Sequence, residues 1–215
     1  MKIGILGTGM VGTNLGSRLQ KLGHDVLLGA REPGNAAAHA WAAGSGGRAG
    51  TFAEAAAHGE ILVNATRGTA SVAALGRAAE SDLDGKVLLD TANPLDFGNG
   101  FPPSLNPVNT DSLGEQIQAA FPGLRVVKTL NTVLSHVMTD PASLPAPHDV
   151  FVAGEDPAAK QQAAALLAEF GWPPEHILDL GGIRASRGLE MYMALWLSLD
   201  GALGTGNFNI CVVRS

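Results

Sequence analysis

Residues 1–19 read MKIGILGTGMVGTNLGSRL, and this stretch decides the fold. An apolar run ends at the motif GTGMVG, residues 7–12, after which Leu15 and Leu19 lie four residues apart. A strand that passes through GxGxxG into an amphipathic helix is typical of a dinucleotide-binding βαβ unit. Gly7 would allow the tight turn, Gly9 the approach of a pyrophosphate, and Gly12 the close packing of helix on sheet. The alternative is a glycine-rich turn without a ligand.

Short apolar runs alternate with helix-like segments along the rest of the chain, as in successive βαβ units. Most of the predicted strands are continuous apolar runs, which favours a parallel sheet covered on both faces. We therefore predict an α/β fold: a Rossmann-type, doubly wound, mostly parallel sheet with a small C-terminal helical part. Strands are predicted at Ile3–Leu6, Val26–Leu28, Ile61–Asn64, Val87–Leu89, Arg125–Lys128 and Val150–Ala153. Helices are predicted at Met10–Lys21, Ala36–Ala43, Ser71–Glu80, Thr110–Ala120, Pro157–Phe170 and Ser186–Leu203.

The chain is predicted to divide into a dinucleotide-binding Rossmann domain, residues 1–155, and a small C-terminal part, residues 156–215. A stretch rich in Pro, Gly and Asn, residues 93–109, interrupts the pattern, and loops of this length tend to be functional or disordered. The last predicted helix, Ser186–Leu203, is apolar on more than one side. A subunit contact would bury that surface.

Composition excludes several classes of function. With a net charge of −6 and no run of Lys or Arg, the chain is not expected to bind nucleic acid or an anionic membrane. Cys211 is the single cysteine, so neither a disulfide framework nor a multi-cysteine metal site is expected, which fits a reducing compartment and predicts a cytoplasmic location. The longest apolar stretch, LEMYMALWLSL, is too short to cross a bilayer. The six histidines are scattered, and no metal site is predicted.

The end of the second strand indicates which dinucleotide is bound. Units that bind NAD carry an Asp or Glu at this point, whereas units that bind NADP omit the acid and place an Arg nearby. Here the sequence is GARE, with Gly29 in the place of the acid and Arg31 two residues later. A guanidinium can hold a 2′-phosphate with two hydrogen bonds, so NADP is predicted. The alternative is a solvated Arg31 with Glu32 as the ribose ligand.

Polar residues follow three further strands, where ligands of open α/β sheets bind. Thr66 and Arg67 follow one strand, and Asn93 lies just beyond the end of another. These three residues are candidates for the nicotinamide end of the cofactor. Asp90 is as well explained by a carboxylate that fixes its own loop as by a substrate contact. The run Lys128–Thr132 is unusually polar for the end of a buried strand.

The order of five motifs resembles the F420-dependent NADP oxidoreductases, the NADPH-dependent reductases of coenzyme F420, and especially their bacterial branch. The motifs are GTGMVG, GARE, LLDTANPLDF, VVKTLNT and the tail LDLGGIRASRGLEMYMALWLSLDGALGTGNFN. The resemblance implies hydride transfer between a nicotinamide and a deazaflavin, and a homodimer. The chain departs from the archaeal members at Ala30, where they have Ser, at Asn131, where they have His, and around Thr66–Gly68, where they have Pro-Trp.

The resemblance also implies roles for individual residues. Thr8, Gly9, Met10 and Val11 match the pyrophosphate loop, and Arg31 matches the arginine that holds the 2′-phosphate. Residues matching the acceptor site are expected to line the deazaflavin ring or close over it: Asn131, Thr132, Val133, Ser186, Arg187, Leu203 and Gly204.

Hydride transfer between two flat rings needs little acid–base assistance, so the protein is expected to act mainly by positioning them. Asn131 and Thr132 would orient the rings through amide and hydroxyl hydrogen bonds, although Asn131 would equally suit a buried amide that satisfies its own turn. Arg187 would neutralise an acidic acceptor tail or pair with Glu190. Two other functions stay open: a flavin or ferric-chelate reductase, since the fold unit resembles the cytosolic domain of STEAP metalloreductases, and a non-catalytic NADP sensor.

Overall fold

The computed structural model describes residues 1–214, which form ten strands and eight α-helices. The strands are β1 (Lys2–Leu6), β2 (Asp25–Ala30), β3 (Arg48–Thr51), β4 (Ile61–Asn64), β5 (Val87–Asp90), β6 (Leu95–Asp96), β7 (Ser104–Leu105), β8 (Arg125–Thr129), β9 (Val150–Ala153) and β10 (Ile177–Asp179). The helices are α1 (Met10–Lys21), α2 (Ala36–Ser45), α3 (Phe52–His58), α4 (Ser71–Leu75), α5 (Leu113–Ala120), α6 (Ser135–Thr139), α7 (Pro157–Phe170) and α8 (Ser186–Leu203).

Eight strands form one sheet in the order β10-β9-β8-β5-β4-β1-β2-β3, and its pairs are parallel except for β8 with β9. The chain runs outward from β1 to β3 and then returns to place β4 on the other side of β1. This reversal creates a crevice at the carboxyl ends of the central strands, where doubly wound folds bind ligands. The predicted Rossmann-type α/β fold is confirmed.

The sheet is buried on both faces, as its sequence predicts. In β1, Ile3 and Ile5 pack into a core that includes α1 and α7, whereas Leu6 packs into a second core on the opposite face. The second core includes residues of α3, α4 and α5. Successive side chains of a strand point to opposite faces, so a strand covered on both sides must be apolar throughout.

The six predicted strands are all present, and four elements of the main architecture were not predicted. β3 is an edge strand of sequence RAGT, which lacks the apolar run that marks a buried strand. β10, a second edge strand, has only three residues, and α3 and α6 are short. The helix predicted over Ser71–Glu80 was wrong in length, because α4 ends at Leu75 and Gly76 caps it. The stretch 93–109 contains the small hairpin of β6 and β7.

The C-terminal region is joined closely to the sheet. α7 and β10 lie beyond the predicted boundary at residue 155, and yet α7 packs into the main core and β10 pairs with β9. α8 then crosses the carboxyl end of β8, and the tail returns to β9, where Asp149 N donates to Ile210 O. None of the helices in residues 1–214 combines the length and the apolarity needed to cross a bilayer.

Candidate active site

The glycine motif forms a tight turn between β1 and α1. Gly7 has φ of +124°, and a Cβ built on it would overlap the backbone of Ala65, so the turn needs glycine there. A Cβ on Gly12 would overlap the carbonyl oxygen of Gly7, which explains how α1 lies so close to the sheet. Around Gly9, in contrast, a Cβ would meet nothing within 4 Å. That open space lies at the N-terminus of α1, which no side chain caps, so free amide groups face an anion site.

A first cavity of about 700 Å³ runs from the glycine motif past the end of β2. Its floor is the turn between β1 and α1, and its two walls are the loop after β2 and the segment containing α4. Its lining comprises Gly7, Thr8, Gly9, Ala30, Arg31, Glu32, Asn35, Phe52, Ala65, Thr66, Arg67, Ala70, Ala73, Ala74 and Arg77.

Gly29 leaves no space for the acidic side chain of an NAD-binding unit. A Cβ at this position would lie 2.8 Å from Ala55 Cβ and 2.9 Å from Thr51 O, because α3 packs directly against β2. Arg31 and Glu32 follow, and both are exposed side chains in the wall of the first cavity. Arg31 therefore lies in the cavity wall, as the NADP prediction requires. Glu32 lies in the same wall, so the alternative prediction, Glu32 as the ribose ligand, stays open.

A second cavity of about 850 Å³ lies at the carboxyl ends of β4, β5 and β8 and is bordered on one side by α8. Ala65, Thr66 and Arg67 line both cavities, so the two form one extended crevice. The lining of the second cavity comprises Met10, Val11, Ala65, Thr66, Arg67, Gly68, Thr69, Thr91, Ala92, Asn93, Leu95, Asp96, Phe97, Asn131, Thr132, Val133, Leu134, Ser135, Met138, Met193 and Trp196.

A buried polar network supports the ridge between the cavities. The Asn64 amide donates to Asp90 Oδ1 at 2.8 Å and to Ser71 Oγ at 2.9 Å, and Thr66 Oγ1 donates to Asn64 Oδ1 at 2.7 Å. Asp90 is fully buried and accepts a further hydrogen bond from Ala92 N. Asp90 thus fixes the loop after β5, the structural one of its two predicted roles, and it is not part of the cavity wall.

Lys128 lies behind this wall at 0% exposure, between two carboxylates. Its Nζ is 2.6 Å from Asp90 Oδ2 and 2.7 Å from Glu190 Oε1, and it donates to Ala92 O at 2.8 Å. Glu190 also accepts hydrogen bonds from the amides of residues 113 and 114, at the start of α5. Burial lowers the pKa of Lys128, but the two carboxylates outweigh it and hold that pKa above its ordinary value. Burial raises the pKa of the Glu190 carboxyl.

Two loops of the second cavity are joined by a reciprocal pair of amides. Asn93 Nδ2 donates to Asn131 O at 2.7 Å, and Asn131 Nδ2 donates to Asn93 Oδ1 at 2.8 Å and to Leu189 O at 3.0 Å. Both side-chain N–H groups of Asn131 are therefore engaged by the protein, but by Asn93 and by the backbone of α8, and not by its own turn as the alternative prediction had it. Of the polar atoms of this side chain, only Oδ1 remains available to accept a hydrogen bond from a ligand. Thr132 and Val133 lie beside it in the cavity wall.

The four C-terminal residues that the resemblance assigned to the acceptor site do not line either cavity within one chain. Ser186 is fully buried next to Gly114, and Leu203 and Gly204 are exposed at the end of α8. Arg187 donates to both carboxylate oxygens of Glu115, at 2.8 and 2.7 Å.

The predicted pairing of Arg187 with Glu190 was wrong, because Glu190 turns inward to Lys128. Arg187 is also not free to neutralise an acidic ligand, because its guanidinium is already paired with Glu115. The part of α8 that borders the second cavity lies earlier in the helix, at Met193 and Trp196.

The other predicted site residues lie along the crevice, but Met10 and Val11, which were matched to the pyrophosphate loop, line the second cavity and not the first. Gly7, Thr8, Gly9 and Arg31 line the first cavity, and Gly12 packs beneath it. The second cavity brings together Met10, Val11, Asn93, Asn131, Thr132 and Val133, while Thr66 and Arg67 line both cavities. Sequence reasoning missed Asp96, Phe97, Ser135, Met138, Met193, Trp196 and Arg77. In the sequence, Met193 and Trp196 are recognisable only as members of the apolar face of a predicted helix.

Fold, glycine motif and crevice together define a Rossmann-type, NADP-dependent oxidoreductase. The model of the family described as NADP oxidoreductase, coenzyme F420-dependent, matches residues 2–94. A crystal structure from Arthrobacter sp. FB24, provisionally described as an F420-dependent NADP reductase, is 48% identical over 100% of both chains, with a TM-score of 0.95. The chain belongs to the family of F420-dependent NADP oxidoreductases.

More distant structures share the fold. The hypothetical protein SMa0349 from Sinorhizobium meliloti is 22% identical, with a TM-score of 0.70 over 86% of this chain and 87% of that one. A reductive aminase from Aspergillus terreus, in complex with NADPH4, cyclohexanone and allyl amine, is 17% identical with a TM-score of 0.66. That match covers 94% of this chain and 62% of the aminase. At these identities the likeness concerns the fold alone.

Proposed function

We propose that the protein transfers a hydride between NADP(H) and coenzyme F420. The observation that carries the proposal is the extended crevice: the first cavity provides the glycine motif and Arg31, and the second offers a separate space of about 850 Å³ at the nicotinamide end. Family membership supports the choice of the deazaflavin as the second ligand. The residues present fit a dinucleotide, because the turn at Gly9 is open and the N-terminus of α1 is uncapped.

The nicotinamide and the deazaflavin supply the two carbon atoms between which the hydride moves. The protein has to hold those atoms about 3–3.5 Å apart and keep water away from them. Val133, Leu134, Met138, Met193 and Trp196 give the second cavity an apolar wall that suits this purpose.

Asn131 and Thr132 belong to this proposal as positioning residues. Asn131 is held by Asn93 and by the backbone of α8, so its carbonyl oxygen has a fixed direction. A rigid acceptor of this kind can orient a ring N–H or a carboxamide without reorganising during the reaction. The N–H groups of the Asn131 side chain are used to join separate elements of the protein, and its Oδ1 oxygen remains for a ligand.

The proposal is tested by mixing the protein with NADPH and, in turn, coenzyme F420, FMN and a ferric chelate, while nicotinamide absorbance is followed. Oxidation of NADPH that depends on coenzyme F420 is the expected result. Turnover with FMN or the chelate alone would replace the proposed acceptor by one of those compounds. Binding of NADPH without turnover on any acceptor would identify the protein as a sensor.

We also propose that the protein is a homodimer that associates through α8. Met191, Leu195 and Leu203 are exposed on this helix, and Leu195 is 54% exposed. Exposed apolar side chains clustered on one helix mark a surface that another protein surface covers.

We also propose a cytoplasmic location. The one cysteine, Cys211, is free and exposed, as a reducing compartment permits.

A further inference from the structure

Three arginines line the first cavity: Arg31, Arg67 and Arg77. None of them takes part in the ion pairs found within residues 1–214, and Glu32 is the one carboxylate in the described lining. The chain as a whole carries a net charge of −6, so this concentration of unpaired cations is local. Cations left without carboxylates in a concave site favour a polyanionic ligand.

The arginines come from different walls of the cavity. Arg31 follows β2, whereas Arg77 follows α4 on the facing wall, where its backbone N–H donates to Ala74 O and continues the last turn. Between α4 and the cavity lie only the small side chains of Ala70, Ala73 and Ala74. These small side chains leave the space between the two walls open, with Arg31 on one wall and Arg77 on the other.

The charges of the phosphate groups indicate which part of the cofactor Arg77 would bind. The free amides at the N-terminus of α1 are available to the pyrophosphate, and Arg67 lies on the ridge shared by the two cavities. A 2′-phosphate carries a charge of about −1.5 to −2 at pH 7. Arg31 alone neutralises about half of that charge, and the neighbouring Glu32 carboxylate opposes it. A second cation in the same cavity would offset the remaining charge.

We propose that Arg77 is this second cation and that the 2′-phosphate of NADP(H) is held between Arg31 and Arg77. The inference rests on the NADP(H) site proposed for the first cavity and adds a specificity-determining residue to it. Arg77 belongs to none of the sequence motifs, so the sequence alone does not identify it as a binding residue. Only the fold brings it to the cavity.

The test is calorimetric titration of Arg77→Ala with NADP⁺ and with NAD⁺. We expect NADP⁺ to bind roughly 10- to 30-fold more weakly than to the wild type, because one charge-assisted contact is lost, while NAD⁺ changes less than twofold. Arg77→Lys should recover part of the loss, because it restores the charge without the two-pronged geometry. Arg184→Ala is the matched control: it removes an exposed arginine that lines neither cavity, and it should bind both cofactors as the wild type does.

An equal loss of NADP⁺ and NAD⁺ affinity would overturn the inference and reassign Arg77 to the adenine or ribose. Unchanged affinity for both would show that Arg77 is a solvated residue, and it would overturn the inference as well. The wild-type titrations separate these results from a failure of the proposed function. A wild type that binds NAD⁺ as tightly as NADP⁺ would refute the NADP assignment itself, and the role of Arg77 with it.

Discussion

Gly29 shows how the packing around a single residue prevents an acidic side chain at the end of β2. A Cβ at this position would lie within 3 Å of Ala55 Cβ and Thr51 O, so a side chain there would collide with the α3 side of the sheet. A carboxylate cannot therefore occupy position 29, where NAD-binding units carry the acid that bonds the ribose hydroxyls. Arg31, two residues further along the loop, lines the same cavity and is the residue to which we assign the 2′-phosphate.

Arg31→Ala should weaken NADPH binding by roughly 10- to 100-fold and leave NADH binding nearly unchanged, because the guanidinium contacts only the 2′-phosphate in this assignment. Fluorescence titration with both cofactors measures the effect. Glu32→Ala is the companion variant and should not weaken NADH. If Glu32→Ala weakens NADH and Arg31→Ala affects neither cofactor, the ribose ligand is Glu32 and the NADP assignment fails.

The Asn93–Asn131 pair leads to a prediction about catalysis. Asn131→Ala should lower kcat by about 100-fold with little change in the dissociation constant of NADPH, because misplacing one ring by about 1 Å costs that much. Asn93→Ala removes both hydrogen bonds between the two loops and should lower kcat similarly. The double variant should be no slower than Asn131→Ala alone, since both changes remove the same arrangement. Independent, multiplying losses would contradict a shared positioning role.

At the scale of elements, Lys128 connects β8 to β5 and α8 through two buried carboxylates. Together with the amides of α5, this cluster joins four elements at one buried point. Buried pairs of charges contribute little net stability while intact, but removing one partner is costly. The cluster thus fixes how α8 lies against the second cavity.

Lys128→Met should lower the free energy of unfolding by about 3–5 kcal/mol, because it leaves Asp90 and Glu190 buried without their cation. Urea denaturation measures the change. Lys21→Met, at an exposed position in the last turn of α1, is the control and should cost less than about 1 kcal/mol. Neutralising both acids in the Lys128→Met background should restore part of the loss. If Lys128→Met lowers the free energy of unfolding no more than Lys21→Met does, the cluster contains no buried charge.

The C-terminal tail is held to β9 by Asp149. Its carboxylate accepts hydrogen bonds from His176 Nδ1 and Val212 N. Burial raises the pKa of Asp149, but these hydrogen bonds outweigh burial and hold the pKa below the ordinary value of 3.8. A carboxyl whose pKa is lower in the folded state stabilises the fold above its ordinary pKa, and that contribution disappears as the pH falls through the folded pKa.

Asp149→Asn should therefore be less stable than the wild type at pH 7, by about 1–3 kcal/mol. The difference should remain constant down to about pH 4 and shrink below it, as the wild-type carboxyl takes up its proton. Thermal unfolding of both proteins between pH 7 and pH 2.5 measures this dependence. A difference that stays constant over the whole range would show that hydrogen-bond geometry, and not charge, holds the tail.

At the scale of the whole molecule, α8 has two sides with different roles. Met193 and Trp196 face the second cavity, while Leu195 lies on the exposed side of the same helix. A helix that is apolar on both sides is stable when both sides are covered. Association through the exposed side would place a subunit contact next to the acceptor cavity.

Leu195→Glu should convert the proposed dimer to a monomer, because it buries a charge in an apolar contact. Sedimentation equilibrium of the wild type and the variant measures the change in mass. Leu180→Glu, at another exposed leucine outside α8, is the control and should remain dimeric. A wild type that is monomeric at micromolar concentration, or a variant that stays dimeric, would contradict association through α8.

Local signals in the sequence were sufficient for much of the fold and for half of the site. The six predicted strands were found, because a parallel sheet covered on both faces requires unbroken apolar runs. α1, α7 and α8 begin and end as predicted. The edge strands β3 and β10 were missed, since an edge strand needs no such run. Each of the residues matched to the pyrophosphate loop lies at the crevice, because its role depends only on neighbours in the sequence.

By itself, therefore, the sequence determined the Rossmann-type sheet, the dinucleotide turn and the absence of an acid after β2. Tertiary structure alone decided that Asn131 is held by Asn93, 38 residues away, and that Glu190 binds Lys128 and not Arg187. It also brought Arg77 and Trp196 to the two cavities. Turns and strands follow from interactions between residues close in the chain, whereas these contacts form only when separate elements pack.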